Sequence, residues 1–262
     1  MKHFFETILV AFGMFSRIPV PQVEWNEKNR KYSMLAFPLV GLVLGLCWVI
    51  VAALCRQFGL PELLTGALLT ALPVLVVGGI HLDGYADAVD ALSSHGDKEK
   101  KLAIMKDPHV GSFAVIHLVV CFLLWFAACT VLAEKSLEEW LLVGLTFVLS
   151  RSLSGLAVTT FPMAKDTGLA KSFADDADKK SVRNGLAVVL VLLVLLFMAM
   201  DIVDRRFPEG FFAVMAAVAV FFWYRYIAQK HFEGINGDLA GWFLCKCEVW
   251  MLVAVAVAAS LS

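Results

Sequence analysis

The sequence has little charge for its length. Only 17% of its 262 residues are charged, and the formal net charge is −1. A typical soluble domain has about 25% charged residues. Proteins that hold nucleic acid normally show a basic stripe or patch. We therefore expect no nucleic-acid partner.

A disulfide framework is also missing. The six cysteines are scattered through or beside apolar segments, as small core residues usually are. Their positions are Cys47, Cys55, Cys121, Cys129, Cys245 and Cys247. We expect free thiols in a membrane core.

The N-terminal region lacks the features of a cleavable signal. Its apolar stretch at 4–15 follows Lys2, but Arg17 and two prolines come next instead of a small-residue cleavage site. The stretch is too short to cross a bilayer, and it contains Glu6. It predicts a helix that lies at the interface or re-enters the bundle.

Long apolar runs dominate the rest of the chain, which is 60% apolar. A helix needs about 20 mostly apolar residues to cross a bilayer. The candidate spans are 33–55, 63–81, 110–133, 139–161, 185–200, 210–226 and 239–261. The sequence thus predicts a single all-α domain over residues 1–262, a polytopic membrane bundle of about seven spans.

Lysine and arginine are distributed unequally between the two ends of these spans. Most lie in the N-terminal segment and in the loops 82–109, 162–184 and 225–238. The opposite ends carry Arg56, Lys135, Arg205 and Arg206. By the positive-inside rule, the N-terminus and the three loops are cytoplasmic and the C-terminus is outside.

Three aspartates follow the second apolar run. Steps of four and seven residues place Asp83, Asp87 and Asp90 on one face of a helix. Such close like charges are unfavourable unless a cation neutralises them, and carboxylate oxygens suit Mg²⁺, which also recruits substrate phosphates. The spacing predicts magnesium-assisted chemistry on a phosphorylated substrate; an ordinary solvated helix end is the alternative. His81, one turn earlier, is either a substrate contact or an interfacial hydrogen-bonding residue.

Two loops on the same side add polar candidates. The run I-M-K-D-P-H-V-G at 104–111 supplies Lys106 for a phosphate and Asp107 as a metal ligand, although its composition is also that of a common turn. Asp238 lies at the mouth of the last span. It is either a metal ligand or the N-cap of that helix.

Two arginines are candidates for phosphate binding. Arg151 lies inside the fourth apolar run, where it either holds a substrate phosphate or forms a structural ion pair. Arg17 contacts either a phosphate or a lipid headgroup. The polar loop 162–184, which includes Asp166, is a substrate lid or a solvated connection.

With these motifs the chain resembles the adenosylcobinamide-GDP ribazoletransferases, the cobalamin synthase family, over nearly its whole length. The shared motifs are F-S-R-I-P-V-P at 15–21, F-P-L-V-G at 37–41, H-L-D-G-Y-A-D-A-V-D at 81–90, I-M-K-D-P-H-V-G-S-F at 104–113, S-R at 150–151, and N-G-D-L-A-G at 236–241 followed by Glu248. The chain departs from the family at Glu233, where glycine is common, and near Ile235 and Asn236, where a small residue or threonine is common.

The resemblance implies a Mg²⁺-dependent enzyme of the bacterial inner membrane. It implies that α-ribazole, or its 5′-phosphate, is joined to adenosylcobinamide-GDP, which gives adenosylcobalamin or its 5′-phosphate and GMP. Membrane lipid surrounds such a protein, and a homo-oligomer or contacts with other enzymes of the pathway are compatible with it. In this interpretation Asp83 and Asp87 bind the metal, Asp90 completes the site or acts as a base, and Asp107 and Asp238 are secondary ligands.

Two other functions fit parts of the sequence. A magnesium-dependent prenyl or CDP-alcohol transferase would use the D-x-x-x-D spacing at 83–87, but it needs a second aspartate-rich motif that Asp238 alone does not supply. A cation-coupled transporter would also use aspartates. Its site would lie near the bilayer midplane, whereas the acids here gather at one end of the spans.

Overall fold

The computed structural model describes residues 2–165, 167–204 and 208–261. Asp166, Arg205 and Arg206, which entered the loop and charge predictions, lie outside the described residues. The described chain is helical and contains no strand, which confirms the all-α prediction. Its helices are α1 Lys2–Phe15, α2 Glu27–Arg30, α3 Ser33–Gln57, α4 Glu62–Val77, α5 Ile80–Ser93, α6 Lys98–Ile104, α7 Ser112–Ala133, α8 Leu137–Thr160, α9 Leu169–Asp176, α10 Lys179–Asp204, α11 Glu209–Phe232 and α12 Gly237–Leu261.

Among the described residues, six helices are long and apolar enough to cross a membrane, namely α3, α7, α8, α10, α11 and α12. A seventh span is counted if α4 and α5 are taken together, although these two helices meet at an angle of 95°. This agrees with the predicted bundle of about seven spans. The predicted N-terminal helix is α1, which is too short to be counted among the spans.

The second predicted span, 63–81, is broken. Helix α4 ends at Val77 because Gly78 and Gly79 both adopt positive φ, 85° and 83°, which glycine tolerates far better than other residues. Helix α5 then leaves at 95° to α4, so the pair forms either a broken span or a re-entrant loop. The aspartates therefore follow the break, on a helix that reaches the first turn of α7 through Asp90.

Helix α8 forms the centre of the bundle and is the most deeply buried span among those described. It packs against α3 through glycines. A Cβ on Gly41 would lie 2.3 Å from the carbonyl oxygen of Phe147, and one on Gly45 would lie 2.3 Å from that of Gly144. Small residues at this G-x-x-x-G spacing let membrane helices approach to backbone contact.

The loops predicted to share one side do meet at one end of the bundle. Arg30 of α2 bonds Asp176 of α9 at 2.5 Å, and Lys98 of α6 bonds Glu233 at the end of α11 at 2.6 Å. The backbone of Ala164 donates to the carbonyl of Ile235. This end, which also carries α5, is called the site end below.

Candidate active site

Two glycines allow helix α5 to pack directly against the first turns of α12. A Cβ on Gly84 would lie 2.9 Å from the Cα of Asp238, and one on Gly241 would lie 2.8 Å from the carbonyl oxygen of His81. Because neither position has a side chain, the two backbones touch. Asp83 and Asp87, on either side of Gly84 in sequence, are thereby brought beside Asp238.

The carboxyl groups gathered here repel one another. The pKa of Asp87 is raised to about 6, first by burial and then by the charges of Asp83, Asp238 and Asp90. Asp83, Asp90 and Asp238 therefore lie within electrostatic reach of Asp87. The predicted alignment of the three α5 aspartates is thus realised, and a fourth acid joins them from α12.

Asp90 has a structural task within this cluster. One of its carboxylate oxygens accepts the N–H of Gly111 at 2.6 Å, and the other accepts the N–H of Ala114 at 2.8 Å. Asp90 therefore caps the first turn of α7 from another helix. A Cβ on Gly111 would lie 2.6 Å from either oxygen, so only glycine fits there.

Asn236 decides between the two roles predicted for Asp238, a metal ligand and the N-cap of the last helix. The Oδ1 of Asn236 accepts the N–H of Leu239 at 2.8 Å, so Asn236 is the residue that caps α12. Asp238 lies in the first turn of α12, where the helix dipole favours a negative charge. Its Oδ2 accepts a hydrogen bond from the Nδ2 of Asn236 at 3.3 Å, which leaves the carboxylate with acceptor capacity for a ligand. The capping role of Asn236 was missed by the sequence analysis, although asparagine before a helix is a recognised signal.

Lys165 is a second residue that sequence reasoning did not single out. It lies in the loop after α8, and the charges of both Asp238 and Lys106 act on it. Its pKa is lowered mainly by burial, which Asp238 opposes and Lys106 reinforces. Lys165 thus stands close to Asp238, and Lys106 lies near Lys165, so both can meet phosphate charge at this site. Loop residues placed by long-range contacts give no spacing pattern that could have identified them.

Asp107 is turned away from this cluster. Its side chain is 54% exposed, and one oxygen accepts the N–H of His109 at 2.9 Å and contacts the Nδ1 of the same residue at 2.7 Å. The pKa of Asp107 is lowered chiefly by the backbone hydrogen bond. The structure does not bring it together with Asp83, Asp87 and Asp238.

Arg151 lies deep in the bundle and is fully buried. Its Nη1 bonds the Oε1 of Glu248 at 2.6 Å and the carbonyl of Phe147 at 3.0 Å, and Ser150 also donates to Glu248. This arrangement is the structural ion pair that the sequence left open. Binding of a substrate phosphate by Arg151 stays a prediction.

Arg17 lies at the break between α4 and α5. Its backbone N–H bonds the carbonyl of Val76 at 2.7 Å, and its side chain fills the space where a Cβ on Gly78 would stand. The residue is exposed and is not placed among the carboxylates. Both of its predicted partners, a phosphate and a lipid headgroup, remain open.

A cavity of about 300 Å³ opens beside the carboxylates. Asp83, Asp238 and Lys165 line one part of it, and His81 and several apolar side chains line another. Helix α9 contributes Phe173, which is 3% exposed, to the lining of this cavity, so α9 covers part of it.

The donor set fits a hard divalent cation. In the described part of the chain, no three acid, histidine or cysteine side chains converge tightly enough to hold a metal ion unaided. Mg²⁺ rarely has such a cage in proteins, because it is usually held by one or two carboxylates, waters and substrate phosphates. Asp83 and Asp238 provide carboxylates of this kind in the lining of a cavity with room for a substrate, and Asp87 lies beside them.

Comparison with known proteins agrees with the resemblance seen in the motifs. A family described as cobalamin-5-phosphate synthase matches residues 7–256. An adenosylcobinamide-GDP ribazoletransferase of Lachnoclostridium phytofermentans is 40% identical over 252 residues, which is 96% of this chain and 94% of the relative. Relatives with the same name from Clostridium perfringens strain SM101 and Pseudomonas fluorescens strain Pf-5 are 32% and 38% identical, each over 95% of this chain and over 96% and 98% of their own lengths.

No solved structure matches the chain. The family match nevertheless spans the site end and nearly every helix, and the curated relatives align over almost their full lengths. On this evidence the chain belongs to the cobalamin-5-phosphate synthase family.

Proposed function

We propose that the protein transfers the adenosylcobinamide-phosphate group of adenosylcobinamide-GDP to α-ribazole or α-ribazole 5′-phosphate, with release of GMP. The full-length family match and the names of the relatives support this activity. The structural observation that carries it is the carboxylate cluster of α5 and α12 at the mouth of a cavity. A prenyl or CDP-alcohol transferase and a transporter are not favoured by any of these findings.

The reaction exchanges one phosphorus–oxygen bond for another. A ribose hydroxyl of the acceptor attacks the phosphorus next to cobinamide, the bond to the GMP oxygen breaks so that GMP leaves with the electron pair, and the hydroxyl proton passes to solvent water. When α-ribazole 5′-phosphate is the acceptor and the product keeps its 5′-phosphate, the 5′-oxygen is already esterified. The attacking oxygen must then be a ribose hydroxyl at another position. Such transfers depend mainly on positioning and on neutralising charge.

The residues of the site divide these tasks. Asp83, Asp87 and Asp238 would hold Mg²⁺, which when bound neutralises pyrophosphate charge and stabilises the leaving oxygen. Lys165 and Lys106 offset the remaining phosphate charge from the adjoining loops. Asp90 keeps α7 and α5 in register through its two backbone hydrogen bonds, so we assign it a positioning role.

The site end faces the cytoplasm of a bacterial inner membrane in this proposal. The distribution of lysine and arginine supports that orientation. In this orientation the carboxylates face the compartment in which nucleotide substrates are made. The C-terminus then lies in the periplasm. Self-association and contacts with other enzymes of the pathway remain predictions.

The activity is tested by incubating the purified protein with adenosylcobinamide-GDP, α-ribazole and Mg²⁺ and measuring cobalamin and GMP. We expect both products with the wild-type protein and neither with Asp83→Asn or Asp87→Asn. Asp97→Asn is the matched control, since Asp97 caps α6 and asparagine caps equally well. Near-full activity in both cluster variants would remove their role in catalysis.

A further inference from the structure

One wall of the cavity is built from aromatic rings that pack against one another. The ring centroids of Phe15 and Phe37 are 4.3 Å apart, and those of Phe15 and Phe173 are 5.8 Å apart. The imidazole of His81 lies 6.0 Å from Phe37 and 6.3 Å from Phe15, so four rings from four helices line one space. Such walls suit a flat, uncharged ring system and are poor surroundings for a phosphate.

One polar atom in this aromatic wall has no partner. The Nε2 of His81 is buried and makes no hydrogen bond to the described residues. A buried polar atom without a partner is costly, so a ligand that supplies one is favoured. This Nε2 has almost no accessible surface, so a base in the cavity would reach it only after the imidazole rotates; a bicyclic base with one unprotonated ring nitrogen would then accept its hydrogen bond.

The size of the cavity separates the two substrates. Small-molecule pockets usually enclose about 300–1,000 Å³, and this cavity, at about 300 Å³, is at the lower limit. A nucleoside fits such a space. The donor carries a corrin macrocycle, an adenosyl group and guanosine diphosphate, and is far larger than the molecules that such a cavity encloses.

The rings and the carboxylates share one cavity. Asp83 and Asp238 line it together with Phe15, Phe37 and Phe173. A nucleoside with its base among the rings therefore presents its ribose to the carboxylates. An attacking hydroxyl must lie there if the metal and the pyrophosphate occupy the cluster.

We infer that this aromatic pocket is the subsite for the base of the ribazole acceptor, with the base against Phe15, Phe37, Phe173 and His81 and the ribose directed at Asp83 and Asp238. The inference rests on the proposed function. It further assigns the large donor to the open side of the carboxylate cluster, outside the cavity.

The test introduces a bulky side chain into the pocket from helix α9. Ala170 lines the cavity one turn before Phe173, and Ala170→Trp would occupy the space of the base. Ala103→Trp is the matched control, since Ala103 is an exposed alanine on α6 that does not line the cavity. Phe173→Ala is a second variant, which removes a wall of the pocket and adds no bulk.

Binding is measured by calorimetry on the detergent-solubilised full chain with three probes: α-ribazole, its free base 5,6-dimethylbenzimidazole, and adenosylcobinamide-GDP. We expect Ala170→Trp and Phe173→Ala to weaken α-ribazole and the free base about tenfold or more. The donor should bind within about twofold of its wild-type affinity in both variants. Ala103→Trp should change none of the three.

Other outcomes overturn the assignment. Unchanged acceptor affinity in both variants, selective loss of the donor, or equal loss of all three probes in both variants would each place the base elsewhere. The proposed function has its own readout, which is product formation by the wild-type protein. If the wild type bound the base as expected but formed no cobalamin, the proposed function would fail and the pocket assignment would stand.

Discussion

Asp90 joins two parts of the chain that the sequence shows separately. Its carboxylate accepts hydrogen bonds from Gly111 and Ala114, so the H-L-D-G motif and the K-D-P-H-V-G motif meet at one side chain. A carboxylate still has acceptor capacity after two such bonds. The geometry nevertheless gives Asp90 the role of positioning α7 against α5, whereas Asp83 lines the cavity.

At the residue scale, the Arg151–Glu248 pair gives the first prediction. Removing one partner of a buried ion pair leaves an uncompensated charge and costs about 3–5 kcal/mol. We expect Arg151→Met and Glu248→Leu to lower the melting temperature strongly, and the double variant to recover most of the loss. Thermal unfolding in detergent measures all three in one cycle.

An alternative role for Arg151 would leave a different signature. An arginine that binds the donor phosphate would raise the KM for adenosylcobinamide-GDP in Arg151→Met without a comparable loss of stability. Rescue of stability by the double variant would not then be expected.

Glu233 gives a second prediction at this scale. It ends α11 in the left-handed conformation, φ 60°, where the family commonly has glycine. A side chain in this conformation costs about 1 kcal/mol of stability. The exposed ion pair between Lys98 and Glu233 offsets little of this cost. We expect Glu233→Gly to stabilise the protein by roughly 0.5–1 kcal/mol in thermal unfolding.

Glu233→Ala separates the two effects in that experiment. It removes the same ion pair and keeps a side chain at a positive φ, so it should not stabilise the protein. A glycine variant that melts no higher than the alanine variant would contradict the explanation.

At the scale of elements, the contact between α5 and α12 sets the geometry of the site. A methyl group on Gly84 would lie 2.9 Å from the Cα of Asp238 and force the helices apart. Because a displacement of about 1 Å at an active site can cost about a hundredfold in rate, we expect Gly84→Ala to lower kcat at least tenfold. Product formation by protein that still purifies as folded material is the measurement.

Gly13→Ala is the control for this contact. Gly13 is on α1 and does not line the cavity, and a Cβ there would meet its nearest atom, in Val20, at an ordinary 3.6 Å. It should leave kcat nearly unchanged. Equal activity of the two variants would show that the close approach of the helices does not matter.

The elements also show where sequence reasoning reached its limit. The four- and seven-residue steps predicted the acidic face of α5 correctly, because helical periodicity is local. Hydropathy did not predict the break at Gly78 and Gly79, since it records apolar character and not direction. The Asn236 cap had a local signal, whereas the partner of Arg151, 97 residues away, had none.

At the scale of the whole molecule, the charge distribution predicts which end faces the cytoplasm. Most lysines and arginines lie at the site end, so it should be cytoplasmic. An alkaline phosphatase fusion at the C-terminus should be active, and one inserted at the loop before α6 should be inactive. A fluorescent protein fused at the same two places should give the reverse. Phosphatase activity from the loop fusion would invert the proposed orientation.

The central claim is that the carboxylates of α5 and α12 hold a divalent cation with the donor pyrophosphate. Mn²⁺ can replace Mg²⁺ as a spectroscopic probe, and electron paramagnetic resonance titration in the presence of adenosylcobinamide-GDP then counts bound metal directly. We expect wild-type protein and Asp97→Asn to bind Mn²⁺ alike, and Asp83→Asn and Asp238→Asn to lose at least tenfold in affinity. Unchanged Mn²⁺ binding in both of these last two variants would contradict the claim.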